Sequence, residues 1–378
     1  MKKLIIVTSA LLLVIGIYLT QSTINSETPT ASAKNKDYMS YSGTIYIAGM
    51  GGHFAAAEVE INPGDIMPIK LKELDKIDIG DKNTHPTHDP RIDVNDRTKL
   101  YWSTYKIDKE AKGRTVHVGV SDLKSGDVIK DQQVQLPERA KWTGALYCAS
   151  GQTKDSFMPI TMSNEAFLDV FDKQTLELKK RVYFDSLGYK DNYFFLHGIN
   201  APDMKTFALT INMTKPWVKP DSPAERLGKI DMILLDLPEL EKGNLKVVAK
   251  NTITGSPNKT LSFRQSFTPD GKYLLQSAAD RFYLLKGDDM SLVDEEMMTE
   301  GDNHDAISTP DGKYAVLTLR KMITSAKGES IKDGMLQLYD IQARKLVGKP
   351  VSTCYACHQD AEIEGNATLC GADANWNL

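Results

Sequence analysis

The sequence is short of several residue types and motifs, and each shortage excludes a class of protein. Its 378 residues include only four cysteines, too few for a scaffold held together by disulfides. A net charge of −4 gives no basic surface for nucleic acid. There is no phosphate-binding glycine loop, no Gly-x-Ser-x-Gly nucleophile elbow and no His-Glu-x-x-His zinc motif. These absences argue against nucleic-acid-binding proteins, P-loop enzymes, serine hydrolases of the elbow type and zinc peptidases.

The first 33 residues are typical of an export signal. Lys2 and Lys3 precede an apolar run from Leu4 to Leu19, and the small residues Ala31-Ser32-Ala33 follow a polar stretch. The run is shorter than the roughly 20 residues that cross a bilayer as a helix, which favours a cleaved signal peptide. An uncleaved N-terminal anchor stays open, because the polar stretch before Ala31 is long. Both forms predict a protein of the periplasm or otherwise exported.

The remaining chain has the pattern of β-strands. From about Gly43 onward, short runs of alternating apolar residues are separated by glycine, proline, aspartate and asparagine. Thr44 to Ile47, Thr115 to Val120 and Met335 to Tyr339 are examples. Long helical stripes are hard to find, so the sequence predicts an all-β fold.

An internal repeat identifies the kind of all-β fold. The segment from Ser266 to Leu275 recurs from Ile307 to Val316, and both copies contain Thr-Pro-Asp-Gly-Lys-Tyr. Weaker copies start at Val94 and Asn200. Each copy predicts a strand, a tight Pro-Asp-Gly turn and a second strand. A unit of this kind that repeats every roughly 40 to 55 residues is typical of β-propeller blades. A pair of β-sandwiches is the alternative fold.

We predict a propeller of six or seven blades over residues 34–351, followed by a C-terminal haem-binding segment over 352–378. The first candidate blade lacks its inner strand, which the segment after Gly365 could supply by closing the ring. The candidate blades are Gly43–Ile79, His85–Gln135, Lys141–Phe184, Phe194–Thr252, Leu261–Met298 and Asn303–Val351.

These Pro-Asp-Gly blades resemble the propeller superfamily that includes the YVTN-repeat proteins, the haem d1 domain of cytochrome cd1 nitrite reductase and the propeller subunits of amine dehydrogenases. The resemblance covers most of the mature chain and implies the architecture. It does not imply one activity, because propellers carry many unrelated functions.

The chemical motif of the chain is Cys354-Tyr355-Ala356-Cys357-His358, which is Cys-x-x-Cys-His, the attachment signature of a c-type haem. It predicts one covalent haem c, with thioethers to Cys354 and Cys357 and with His358 as the proximal ligand of the iron. The alternatives are a chance match, a metal site that includes Cys370, and a redox dithiol, which would need a βαβ context. The motif has no separate cytochrome domain around it. That departs from cytochrome cd1, and the departure puts any direct transfer of nitrite reductase activity in doubt.

The sixth iron ligand cannot be identified from the motif. Histidine or methionine would give an electron-transfer haem, and an open position would allow a small molecule to bind. His53, in the glycine-rich turn Gly49-Met50-Gly51-Gly52-His53, is a candidate distal ligand.

Three of the seven histidines lie near the predicted starts of inner strands: His88, His197 and His304. Arg264 occupies the corresponding place in another blade, and Lys141 could do so in its own. Inner strands line the channel, so these side chains are expected at one mouth of it. There they are candidate catalytic residues, or ligands for copper, zinc, a second haem iron or an anionic substrate. The d1-haem propellers that the chain resembles also use channel-mouth histidines and basic groups.

The structural alternative is that each of these histidines forms hydrogen bonds within its own blade. Of the others, His117 is interpreted as a packed or surface strand residue, and His85 receives no role. Cys148 and Cys370 are a candidate disulfide, because two cysteines left over in an oxidising compartment often pair.

The function that these observations favour is an exported monohaem c-type cytochrome acting in electron transfer. One alternative is an oxidoreductase, or a subunit of an amine dehydrogenase-like or nitrite reductase-like enzyme, whose channel-mouth pocket binds a substrate or second cofactor. Another is a non-enzymatic docking platform for a redox partner. The expected partners are redox proteins or other dehydrogenase subunits, with no nucleic acid, and with the membrane only through the N-terminal segment.

Overall fold

The computed structural model of the chain describes residues 38–139, 147–162, 166–216, 224–364 and 369–377. The predicted signal peptide or anchor, residues 1–33, lies outside these ranges, and so does Lys141. Within them, no helix has both the length and the apolar character needed to cross a membrane.

The described strands form six antiparallel sheets of four strands each. The first sheet contains β1 (Tyr41–Gly49), β2 (His53–Ile61), β3 (Ile69–Asp78) and the last strand, β24 (Leu369–Trp376). The second contains β4 (Arg91–Ile92), β5 (Lys99–Ser103), β6 (Thr115–Asp122) and β7 (Val128–Gln135). The third contains β8 (Tyr147–Gln152), β9 (Ser156–Thr161), β10 (Phe167–Asp172) and β11 (Leu178–Tyr183).

The other three sheets follow in chain order. The fourth contains β12 (Tyr193–Asn200), β13 (Thr206–Thr214), β14 (Arg226–Asp236) and β15 (Val247–Thr254). The fifth contains β16 (Gln265–Phe267), β17 (Tyr273–Ser277), β18 (Arg281–Lys286) and β19 (Leu292–Met297). The sixth contains β20 (Asp302–Ser308), β21 (Tyr314–Thr324), β22 (Ser330–Asp340) and β23 (Lys345–Ser352).

Helices are few and short in the described ranges. A single 3₁₀ turn covers Asp185–Leu187, α1 covers Leu237–Glu241, and α2 covers Cys354–Asp360. The all-β prediction is therefore confirmed, and the blade count is six. The chain is a six-bladed β-propeller.

The Pro-Asp-Gly repeat is the turn between the first two strands of a blade. In the fifth blade, the Thr268 hydroxyl donates to Asp270 Oδ1 at 2.7 Å and accepts the Tyr273 amide at 3.0 Å. Thr309 makes the same pair of bonds in the sixth blade. Gly271 has a φ of +70°, which favours glycine at this place in the turn. The repeat in the sequence is thus a self-contained hydrogen-bonded turn.

The first blade is built from both ends of the described chain. β24 pairs with β1 from Gly43 opposite Trp376 to Gly49 opposite Leu369, and it supplies the innermost strand. Gly43 is required at this pairing, because a Cβ atom there would lie 2.5 Å from the Asn375 carbonyl oxygen. The inner strand that the first predicted blade lacks therefore comes from the segment that follows the Cys-x-x-Cys-His motif.

The closing strand also contributes to an apolar core between the first and sixth blades. Leu369, Ala372 and Ala374 pack in one buried cluster with Ile45 of β1 and Leu336 of β22. Burying this apolar surface stabilises the seam of the ring.

The first prediction tests the contribution of β24 to the fold. Leu369→Ala removes a side chain that is 0% exposed, and we expect it to lower the free energy of unfolding by about 2–5 kcal/mol. Leu292→Ala, on an outer strand where the side chain is 49% exposed, is the control and should change it by less than about 0.5 kcal/mol. Denaturation followed by circular dichroism measures both. Equal effects of the two substitutions would show that β24 does not hold the ring.

Candidate functional site

The Cys-x-x-Cys-His helix and the glycine-rich turn before His53 lie at the same end of the propeller. Neighbouring strands in a blade are antiparallel, so the start of each inner strand and the loop between the second and third strands share one end. α2 precedes the inner strand β24, and His53 begins the third strand of the same blade. The His53 and His358 ring centres are 6.0 Å apart, with a tilt of 53° between the rings.

α2 is attached to the sixth blade through its first residues. The Thr353 amide donates to the Gly334 carbonyl at 2.9 Å, and the Tyr355 amide donates to Asp333 Oδ1 at 2.8 Å. The helix contacts β22 and β3. Positions i, i+3 and i+4 share a helix face, so Cys354, Cys357 and His358 lie on one side of it.

Both thiols of the motif are packed into the seam between the sixth and first blades. Cys354 is 7% exposed and Cys357 is 3% exposed, and both belong to the apolar cluster around Ile45 and Leu336. Burial raises the pKa of the Cys357 thiol. A neutral, buried thiol is a poor nucleophile, which argues against thiol–disulfide exchange as the role of this pair.

His358 is half-buried and lines a groove of 480 Å³. Apolar side chains from both walls, Ile331, Tyr355 and Ile363, face the groove, and an ion pair between Lys327 and Glu364 lies at its edge. The volume falls within the range of small-molecule and cofactor sites.

His53 is buried at 6% exposure, and this burial lowers the pKa of its imidazole. Its ring packs over Gly51, where a Cβ atom would lie 2.7 Å from Cε1. The ring is therefore held in place as a neutral imidazole, the form that binds a metal ion.

The structure brings His88, His197, His304 and Arg264 together in the channel, where each is at most 2% exposed. Arg264 Nη2 donates to His88 Nδ1 at 2.9 Å and to the His88 carbonyl at 2.7 Å. Arg264 Nε lies 3.1 Å from Asp89 Oδ1. The guanidinium thus occupies the middle of the cluster, which we call the channel cluster.

Aromatic side chains enclose the channel histidines. The Phe263 ring lies 4.4 Å from His304 and 6.0 Å from His197, and Tyr105 stacks on His88 at 4.1 Å. Burial lowers the pKa of all three imidazoles well below the usual value, and the neighbouring arginines lower it further. The histidines are therefore neutral at physiological pH.

The channel cluster also holds the closing strand. Gly371 of β24 packs so closely on Arg264 that a Cβ atom there would collide with the guanidinium. The Ala372 amide donates to Asp305 Oδ2 at 2.9 Å, and Arg91 Nη1 donates to the Ala372 carbonyl at 3.3 Å. These contacts support a structural role for the predicted channel residues.

Metal-ligand geometry is found at a different place. Among the residues that the structure describes, one set of three donor side chains has all its ligand atoms within 4.8 Å of one another: His85, His117 and Asp131. Neither the channel histidines nor the Cys354, Cys357 and His358 donors form such a set. The sequence assigned His85 and His117 no site, because no short motif connects them.

The predicted disulfide between Cys148 and Cys370 stays a prediction. The side chain of Cys370 lies outside the described residues. Cys148 Sγ lies in the channel, 3.0 Å from His197 Nε2.

Comparisons with known proteins add little to this geometry. No protein-family model matches the chain, and no curated protein does. Among solved structures, the chain is similar to the WD40 domain of Neurospora crassa Pan2, with 11% identity and a TM-score of 0.45. The match covers 71% of this chain and 66% of that one, just under two thirds of its length. It carries no information on activity, and the likeness to cytochrome cd1 and amine dehydrogenase propellers stays a prediction.

Asp305 gives the channel cluster a pH dependence. Burial raises its pKa to about 7, although Arg264, Arg91 and two backbone amides favour the carboxylate. A carboxyl whose folded pKa exceeds its unfolded value stabilises the fold fully at low pH. That contribution is lost as the pH rises from the unfolded value of 3.8 to about 7.

The second prediction concerns Asp305→Asn. The stability of the unmodified protein relative to this variant should fall between about pH 4 and pH 7, by up to about 1.4 kcal/mol per pH unit. Above that range, the difference in stability between the two proteins should not vary with pH. The hydrogen bonds that the substitution itself changes add a difference that is the same at every pH. Thermal or urea denaturation as a function of pH measures it, with Asp302→Asn, exposed on the same strand, as the control. A difference that does not vary with pH would contradict the raised pKa.

Proposed function

We propose that this propeller is an exported monohaem c-type cytochrome that acts in electron transfer, with haem joined to Cys354 and Cys357. The observation that carries the proposal is the placement of the Cys-x-x-Cys-His motif. The motif is on α2, with both thiols buried in the seam between the sixth and first blades and His358 lining a groove. Export is supported by the N-terminal pattern in the sequence.

The donor set fits a haem better than it fits a bare metal or a dithiol site. A structural zinc ion needs four converging ligands, and the donor atoms of Cys354, Cys357 and His358 do not converge within 4.8 Å. The raised pKa of Cys357 disfavours thiol–disulfide chemistry. Two thiols and a histidine at this spacing remain suited to thioether attachment and axial ligation.

His53 is the proposed distal ligand. His53 and His358 would both hold the iron, because imidazole nitrogen is a common ligand of haem iron. The His53 and His358 rings have a spacing of 6.0 Å. A haem c held by two histidines would supply one-electron transfer and would not bind a substrate at its iron. This spacing supports electron transfer over catalysis at the haem.

The protein residues around the motif have separate roles in this proposal. Cys354 and Cys357 anchor the group, and their burial in the seam implies that attachment precedes the docking of α2 on the ring. His358 and His53 would hold the haem iron. The groove, whose residues Lys327 and Glu364 are exposed, leaves the site accessible to a redox partner protein.

The alternative of a substrate pocket in the channel receives less support. His88, His197, His304 and Arg264 are at most 2% exposed. Arg264 contacts His88, Asp89 and Gly371 of β24. Their arrangement favours holding the ring closed over binding a substrate.

The third prediction tests haem attachment. Protein expressed with a cytochrome c maturation system should contain one covalent haem per chain, measured as the pyridine haemochrome after acid–acetone extraction. Replacing both Cys354 and Cys357 with alanine should remove it, because no thioether can form. Cys148→Ala, which removes a buried cysteine outside the motif, should keep it. An intact motif without covalent haem in correctly processed protein would overturn the proposed function.

The fourth prediction tests the distal ligand. His53→Ala should convert a low-spin haem to a high-spin one, visible in the absorbance and electron paramagnetic resonance spectra, since one axial ligand is lost. Added imidazole should restore the low-spin spectrum. Met50→Ala, in the same turn, is the matched control, because methionine is the other common axial ligand. If Met50→Ala changes the spin state and His53→Ala does not, the assignment of His53 is wrong.

A further inference from the structure

Three donor side chains meet at the outer part of the second blade. His117 is in β6 and Asp131 in the neighbouring β7, and His85 lies in the connection between β3 and β4. The register pairs His117 with Gln133 and Gly119 with Asp131, so His117 and Asp131 are diagonal neighbours on one face of the blade. The ring of His85 lies over this face, with its centre 4.1 Å from that of His117.

The two histidines point at the same carboxylate. His85 Nε2 lies 3.0 Å from Asp131 Oδ2, and His117 Nδ1 lies 2.8 Å from Asp131 Oδ1. All three ligand atoms fall within 4.8 Å of one another. The side chain of His117 is 3% exposed, and that of Asp131 is 33% exposed, so the cluster opens to solvent on the carboxylate side.

The far nitrogen of each imidazole has its own partner. His117 Nε2 lies 3.0 Å from Asp108 Oδ2, and His85 Nδ1 lies 2.8 Å from Thr84 Oγ1. Asp108 is itself fixed, because its Oδ1 accepts the amides of Glu110 and Ala111. A histidine that binds a metal usually donates its other ring N–H to a carboxylate or another acceptor. The arrangement around His117 and His85 has this form.

A glycine in the backbone makes room for the ring of His85. A Cβ atom at Gly80 would lie 2.5 Å from His85 Nδ1, so glycine is needed beneath the ring. The edge of Trp102 packs on the ring of His85 at 6.0 Å between centres. The ring is therefore held against its neighbours by the fold.

We propose that His85, His117 and Asp131 bind one divalent first-row transition-metal ion, with Asp108 as a positioning residue. Imidazole nitrogen suits zinc, copper, iron and nickel, and two histidines with one carboxylate form a common ligand set for such ions. Three protein ligands leave a coordination position for water. The site joins the connection after the first blade to the outer strands of the second. None of its ligands belongs to α2, which carries the Cys-x-x-Cys-His motif and contacts β22 and β3.

The test uses the mature full-length protein after removal of metals with a chelator. Isothermal titration with Zn²⁺ should show one equivalent bound, and Co²⁺ should give visible d–d absorption bands.

His85→Gln and Asp131→Asn should each weaken Zn²⁺ binding at least about 100-fold, because a ligand is lost. Asp108→Asn should weaken it about 10- to 100-fold, since only the orientation and basicity of His117 change. Asp127→Asn, an exposed carboxylate at the turn between β6 and β7, is the matched control and should bind like the unmodified protein.

Two further measurements keep the test decisive. The protein with both Cys354 and Cys357 replaced by alanine should show the same Co²⁺ bands, which separates this site from the haem motif. Thermal unfolding of each variant without metal identifies any variant that fails to fold. If a strand variant fails, the Zn²⁺ affinity of His85→Gln is the deciding measurement, because His85 lies in a connection outside the strands. Absence of a saturable one-equivalent site, or equal affinity in the His85, Asp131 and Asp127 variants, would overturn the proposal.

Discussion

The pairing of β24 with β1 is the constraint on which the rest of this molecule depends. It joins the last described strand to the first, and it places Leu369 in the apolar seam between the first and sixth blades. α2 is the element before this strand in the described chain, and it places the Cys-x-x-Cys-His motif against β22 and β3. The fold and the candidate haem site are thus held by the same segment.

The channel cluster supports that closure from the inside. Gly371 packs on Arg264, which pairs with Asp89, and Arg320 Nε donates to the Leu369 carbonyl at 2.7 Å. Buried charges of this kind add little net stability over apolar packing, but removing one partner is costly because the other is left unpaired. The cluster therefore specifies how the inner strand is seated. The contacts of the channel histidines are consistent with a structural role.

Features that depend on neighbours in sequence could be predicted. The Thr-Pro-Asp-Gly turns form hydrogen bonds within six residues, from Thr268 to Tyr273, and so the spacing of residues along the chain is enough to reveal the repeat and the approximate blade boundaries. The Cys-x-x-Cys-His motif is equally local. The set of His85, His117 and Asp131 was missed, because its members meet only through the register of β6 with β7 and the path of the connection before β4.

By itself, the sequence determined the all-β class, the repeating blade and the Cys-x-x-Cys-His motif on which the haem proposal rests, since each is encoded by spacing along a few residues. Only the tertiary structure decided that there are six blades, that β24 completes the first of them, and that His53 lies 6.0 Å from His358. It also decided that His88 is buried against Arg264, and that His85 and His117 both lie against the carboxylate of Asp131. The physical reason is that side chains distant in sequence meet only when the ring closes, and burial then sets their charge.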